Sequence, residues 1–106
     1  MNAIKHLVFF KLKHEKGSKE SEMFIKDGRD LLASIPEVQK LEILRQISRD
    51  NEYDYAFYME FASQSDYDKY TEIPDHVKFV EQRWLPEVES SFEADFEFFV
   101  PNQNPA

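Results

Sequence analysis

The sequence predicts an α+β fold of the ferredoxin-like type, βαββαβ, in which a four-stranded antiparallel sheet carries its helices on one face. Four segments of bulky, β-branched and aromatic residues read as strands, the third of them alternating cleanly at period two. Two stretches with apolar residues three and four apart, each preceded by serine, read as helices and split the strands as one, two, one. The chain is 106 residues long with no cysteine and two glycines, so it has the size of one domain and must be stable from its core alone.

The first strand spans Ile4 to Leu12, where Ile4, Leu7, Val8, Phe9, Phe10 and Leu12 fall on both faces and imply burial on both sides. His14 to Lys19 is a polar loop that offers Ser18 or Ser21 as a helix cap. In the following helix, Glu20 to Ile35, the residues Phe24, Gly28, Leu31 and Ile35 share a face. A glycine there costs about 1 kcal/mol against alanine, which implies close approach to a sheet. Pro36 ends the helix.

Val38 to Ser48 reads as a second strand with one wetter face, and Arg49 to Glu52 as a polar turn. Tyr53, Tyr55, Phe57, Met59 and Phe61 make one face of the third strand; Asp54, Ala56, Tyr58 and Glu60 make the other. Ser63 or Ser65 caps a helix that starts near Asp66 and runs through Tyr70 until Pro74 interrupts it, with Asp75 as cap of a second piece. Val77, Val80, Trp84 and Val88 share a face of that piece, and Pro86 predicts a bend or a restarted turn near Leu85. Phe92 to Val100 completes the sheet. Residues 1–100 thus form a single domain and 101–106 a flexible tail.

Composition adds a partner and removes others. Ten phenylalanines and five tyrosines are more than two helices can cover, and exposed apolar patches of that size usually mark an interface. The simplest solution is a two-fold homodimer through the helix-free sheet faces, enclosing a barrel-like chamber. A formal net charge of -8 argues against nucleic acid and anionic membranes, which are held by clustered Lys and Arg. No apolar run approaches the roughly 20 residues of a membrane span, and the N-terminus lacks the features of a signal peptide. A cytoplasmic protein is expected.

Chemistry centres on Tyr70 to Phe79, YTEIPDHVKF. In an unbroken helix His76 would lie about 600° around the axis from Tyr70, roughly 120° off its face. The Pro74 break permits both to point one way, onto a pocket at the helix-sheet boundary, with histidine as general base and tyrosine orienting a substrate oxygen. The competing reading is that Tyr70 packs under the helix and His76 is an ordinary first-turn residue. His6, on the strand face with Ile4 and Val8, is either a hydrogen-bonded core residue or, if that face looks into the dimer interior, a pocket residue. His14 reads as solvated, and Glu87, Glu89, Glu93, Asp95 and Glu97 as a solvated acidic face. The three histidines show no metal-ligand spacing, no glycine-rich phosphate loop or GxSxG elbow occurs, and no cofactor is expected.

IKHLVFFKLK near the N-terminus, IPDHVKFV at Ile73 to Val80 and the closing DFEFFVP resemble the stress-responsive dimeric α/β-barrel family, Dabb, over nearly the whole chain. The resemblance implies ferredoxin-like subunits paired through their sheets. One enzyme of that family, the plant cyclase that makes olivetolic acid, promotes an aldol cyclisation with a histidine and a tyrosine and no cofactor. By resemblance His76 matches the catalytic histidine, Tyr70 its tyrosine partner, and His6 a strand histidine near the pocket, with Val8 and Ile73 as further substrate-binding candidates. Ile73 stands where that enzyme has the first histidine of a His-Pro-x-His motif, which weakens any claim to the same substrate. Three functions therefore compete: cofactor-free proton transfer on an apolar or carbonyl compound, a non-catalytic binding or stress protein, and a cofactor-independent monooxygenase.

Overall fold

The computed structural model describes residues 3–102; residues 103–106 of the expected tail lie outside them. Strands β1 (Ile4–Leu12), β2 (Gln39–Arg45), β3 (Tyr55–Phe61) and β4 (Val88–Glu97) form one sheet in the order β2-β3-β1-β4. All three neighbouring pairs are antiparallel, so β1 and β2 run parallel with β3 between them, the split βαβ arrangement the sequence predicts.

Helix α1 (Lys19–Ala33) follows β1. Its cap is Ser18, whose side chain accepts from the Ser21 N–H, and it ends before Ile35 and Pro36 with Ser34 as C-cap. Ser21, Phe24, Gly28 and Leu32 are its buried residues, so the deep stripe passes through Leu32 instead of Leu31. Gly28 is explained by contact: a Cβ there would stand 3.0 Å from Phe57 Cζ and 3.4 Å from Phe79 Cζ.

After β3 the helical layer is broken into pieces. Helix α2 (Gln64–Glu72) is capped by Ser63, which accepts from the Asp66 N–H, so it begins two residues earlier than expected. Helix α3 (Pro74–Phe79) has Ile73 as its cap residue and Pro74 in its first turn. Asp75 does not cap it, because proline at the first helical position forces the residue before it into extended backbone and places the cap there. The restarted turn expected near Leu85 is the short α4 (Leu85–Glu87), and it follows a π-helical turn, Val80–Trp84, that spacing did not foretell. The Leu85 N–H reaches back five residues to the Val80 carbonyl. A wide turn here relaxes the clash that Pro86 would make with the carbonyl four residues before it.

Strand β4 begins at Val88 and ends at Glu97, four residues earlier at one end and three at the other than the expected Phe92 to Val100. Phe98, Phe99 and Val100 therefore lie past the strand and are exposed. Strand β2 is shorter than expected, and Lys40 takes a positive φ of 52° where the β2–β3 register shifts, as at a bulge.

The core lies between the sheet and the helices. Phe10, Phe24, Phe61 and Met59 are fully buried there, with Phe10 packed on Phe57 (ring centroids 4.9 Å apart) and Trp84 (5.1 Å). Strand β1 is not buried on both sides within one chain: His6, Val8, Phe10 and Leu12 are buried under the helices, whereas Lys5, Leu7, Phe9 and Lys11 are half-exposed on the other face. No helix among the described residues is long and apolar enough to cross a membrane.

Candidate functional site

A cavity of about 130 Å³ opens between the sheet and the helical layer of a single chain. β1 contributes His6 and Val8, β3 contributes Phe57 and Met59, α1 contributes Leu31 and Leu32, and β4 contributes Glu93. The broken helical layer supplies Tyr70, His76, Phe79, Val80 and Trp84. The cavity lies at the helix-sheet boundary, where Tyr70 and His76 are expected to converge, and His6 faces the helices, because on β1 it alternates in phase with the buried Val8 and Phe10.

The chain break at Ile73 brings Tyr70 and His76 together. Ile73 has φ -62° and ψ 125°, which ends α2 and re-aims the next helix, and the Tyr70 and His76 rings then lie 4.2 Å apart. His6 lies on the other side of the contact network, 6.2 Å from Tyr70 edge-on. Of the sequence-predicted site residues, His76, Tyr70, His6 and Val8 converge on the cavity, while Ile73 packs against the hydrophobic core and does not line the cavity.

Each titratable group in this wall has a physical state. Burial holds the His76 imidazole below its usual range, against the raising effects of the Thr71 backbone and the Glu93 carboxylate, and His6 lowers it further. His76 is therefore neutral at neutral pH. Its Nδ1 is buried with no hydrogen-bond partner, a state that costs about 1–3 kcal/mol and calls for a cause. Burial, with Glu93 and Tyr67 adding, raises the Tyr70 hydroxyl far above the usual phenol range, so it stays a donor.

Two acidic residues read as solvated belong to this site. Across the β1–β4 ladder His6 pairs with Asp95 and Val8 with Glu93. Asp95 Oδ1 is 2.6 Å from His6 Nδ1, and the Tyr67 hydroxyl donates to Asp95 Oδ2 at 3.0 Å. Phe92 and Phe96 turn to the helix-free face, so the acidic residues alternating with them must face the helices. That alternation was the available signal. Glu87 is not simply solvated either: His14 Nε2 lies 2.7 Å from its Oε1 and Arg83 Nε donates to its Oε2 at 2.5 Å. His14 is correspondingly tied down. Among the described residues no cluster of His, Cys, Asp or Glu is suited to a metal ion.

A model of the stress responsive A/B barrel domain, Dabb, matches residues 4–98. The chain belongs to the Dabb family. A Dabb-family protein from Mesorhizobium loti with a ferredoxin-like fold is 45% identical over 91% of this chain and 96% of its own, with a TM-score of 0.89. A dimeric protein of unknown function and ferredoxin-like fold from Bacteroides fragilis is 25% identical, with 91% of this chain and 96% of that one covered and a TM-score of 0.70. A hydroxynitrile lyase from Passiflora edulis shares the fold at 19% identity, 96% and 95% coverage and a TM-score of 0.79. Among curated proteins none matches the sequence. The Dabb assignment agrees with the resemblance drawn from IKHLVFFKLK, IPDHVKFV and DFEFFVP, and with the ferredoxin-like sheet.

Proposed function

We propose that this Dabb protein is a homodimer in which each subunit binds a small uncharged carbonyl compound between sheet and helices and transfers a proton on it without a cofactor. The observation that carries the reading is that the His76 and Tyr70 rings, 4.2 Å apart, both line one cavity, with burial lowering the His76 pKa. A neutral imidazole in the wall of an open space is a base able to take a proton, and the tyrosine donates to the oxygen on which charge develops.

Size and charge narrow the ligand. An apolar cavity of about 150 Å³ is enough for benzene, so about 130 Å³ suits a one-ring compound. A polycyclic substrate would require the walls to move, which disfavours the monooxygenase reading. The Glu93 and Asp95 carboxylates beside the cavity repel anions. Dimerisation is supported by Phe9, Phe92 and Phe96 on the sheet face the helices leave uncovered and by the dimeric Bacteroides fragilis relative.

Benzaldehyde titrated into the protein should shift the ring resonances of Tyr70 and His76. Acetophenone, in heavy water, should exchange its methyl protons faster in the presence of the protein, and His76→Ala should remove about a hundredfold or more of that acceleration. Exchange that is indifferent to His76→Ala, with benzaldehyde leaving both rings unmoved, would refute the reading.

A further inference from the structure

The proton transfer described above uses His76 and Tyr70 and leaves Asp95 and Tyr67 without a role, yet these two determine the state of the other histidine in the same cavity. His6 is 3% exposed. Its Nδ1 lies 2.6 Å from Asp95 Oδ1 and 3.3 Å from the Tyr67 hydroxyl, which itself donates to Asp95 Oδ2 at 3.0 Å. An ionised carboxylate only accepts, so Nδ1 carries the hydrogen, and in the neutral imidazole Nε2 then keeps a free lone pair. Burial, followed by the Asp95 hydrogen bond, raises the Tyr67 hydroxyl well above the phenol range and keeps it a donor. Among the described residues Nε2 has no hydrogen-bond partner, and it is not sealed as His76 Nδ1 is. His6 lines the cavity.

We propose that His6 Nε2 is the acceptor for a hydroxyl on the ligand, held in that tautomer by Asp95, so that the ligand is an uncharged one-ring compound bearing a hydroxyl besides its carbonyl. The carbonyl half of this statement rests on the function proposed above. The hydroxyl half rests on the His6–Asp95–Tyr67 geometry alone. Tyr70 donates to the carbonyl oxygen, and the ligand hydroxyl donates to His6. If the hydroxyl proton crosses to Nε2, the O–H bond breaks, the electron pair stays on the ligand oxygen, and the imidazolium formed is stabilised by Asp95. Asp95 does not touch the ligand; it is a positioning residue.

Asp95→Asn tests this without changing shape. The Tyr67 hydroxyl, a donor, will hold the amide oxygen, leaving the amide NH₂ to face His6 Nδ1. Nδ1 must then accept, the hydrogen moves to Nε2, and the cavity loses its acceptor. Adding Tyr67→Phe releases the amide to turn its oxygen toward Nδ1 and restores the original tautomer.

Calorimetric titration with benzaldehyde, its monohydroxy isomers and phenol, together with nitrogen NMR of the His6 ring, decides the matter. At least one hydroxybenzaldehyde should bind wild type about tenfold or more tighter than benzaldehyde, since a site built to pair a hydroxyl discriminates against its absence. Asp95→Asn should erase that advantage, leave benzaldehyde affinity within about twofold, and show hydrogen on Nε2; Asp95→Asn with Tyr67→Phe should recover both the advantage and the Nδ1 hydrogen. Hydrogen on Nε2 in wild type, or equal loss of all ligands in Asp95→Asn, overturns the proposal. If benzaldehyde binds and the hydroxyl adds nothing, the acceptor falls while the carbonyl reading stands. If phenol binds and benzaldehyde does not, the carbonyl reading falls while the acceptor stands, and binding of neither overturns both.

Discussion

The helix-covered and helix-free faces of this sheet are made from the same strands, and alternate residues of β1 serve each. Inward lie His6, Val8, Phe10 and Leu12; outward lie Leu7 and Phe9, paired across the ladder with Ala94 and Phe92. The inward face is closed by the chain's own helices and gathers His6, Tyr70, His76 and Glu93 about one cavity. The outward face is more apolar than a solvated sheet face should be, with Phe92 and Phe96 each more than half exposed. It turns polar at Lys5 and Lys11 and near Tyr58, whose hydroxyl is bonded to Glu60 at 2.5 Å. On the function proposed above, binding chemistry and assembly lie on opposite sides of one β-layer, so substitutions should separate them.

The largest effect is expected inside. Phe10→Ala removes a fully buried ring packed against Phe24, Phe57 and Trp84 and should cost about 3–5 kcal/mol in urea denaturation. A loss below about 1 kcal/mol would mean that the inward face is not the core. Outside, Phe92→Asp should leave the subunit folded by circular dichroism but halve the mass seen by light scattering. Hot-spot residues are worth about 2 kcal/mol or more each, and two-fold symmetry counts the change twice, so dimer dissociation should strengthen by about a thousandfold. A wild-type mass of one chain would end the comparison, because the outward face would then have no partner.

Tyr70→Phe keeps the ring against His76 and Phe61 and deletes the donor. Acetophenone exchange should fall about tenfold to a hundredfold with little change in dimer mass. The pH dependence of stability sharpens the same side. Burial lowers the His76 pKa in the folded chain from 6.5, so between the folded and unfolded pKa values the unfolded state binds more protons. Stability is therefore unaffected above the unfolded pKa and declines as pH falls below about 6.5. His76→Gln should flatten that part of the denaturation-versus-pH curve; an unchanged slope would mean His76 is not held neutral. The smallest effect is expected of Gly28→Ala. Helix propensity gains about 1 kcal/mol, while the new methyl presses on Phe57 and Phe79, both of which line the cavity. Net stability should change by less than about 1 kcal/mol, with benzaldehyde affinity reduced as those rings yield inward.

Much of this was legible from residue spacing. Period two in Tyr53 to Phe61, the serine caps, Pro36 and Pro74 determine the element order, and Pro74 with the turn arithmetic permits Tyr70 and His76 to meet without requiring it. What spacing could not supply was register. The phase of β4 decides whether Glu93 and Asp95 face water or the helices, and that phase is set by pairing with β1, a contact between residues 89 apart in the chain for His6 and Asp95. A pocket at the helix-sheet boundary is expected from the Pro74 break, but apolar residues on both sides of β1 do not say by themselves which face leaves a gap. The gap arises where the helical layer is broken, and its widest irregularity, Val80–Trp84, comes from Pro86 acting backwards along the helix.

That wide turn amounts to one surplus residue in an otherwise regular spiral. Removing a single residue between Val80 and Trp84 would rotate everything before it by about 100° relative to Pro86, carrying Val80 and Phe79 away from the pocket while leaving the four strands and their pairing intact. Length variation at this spot is therefore a route by which the same scaffold can be retuned to molecules of another shape.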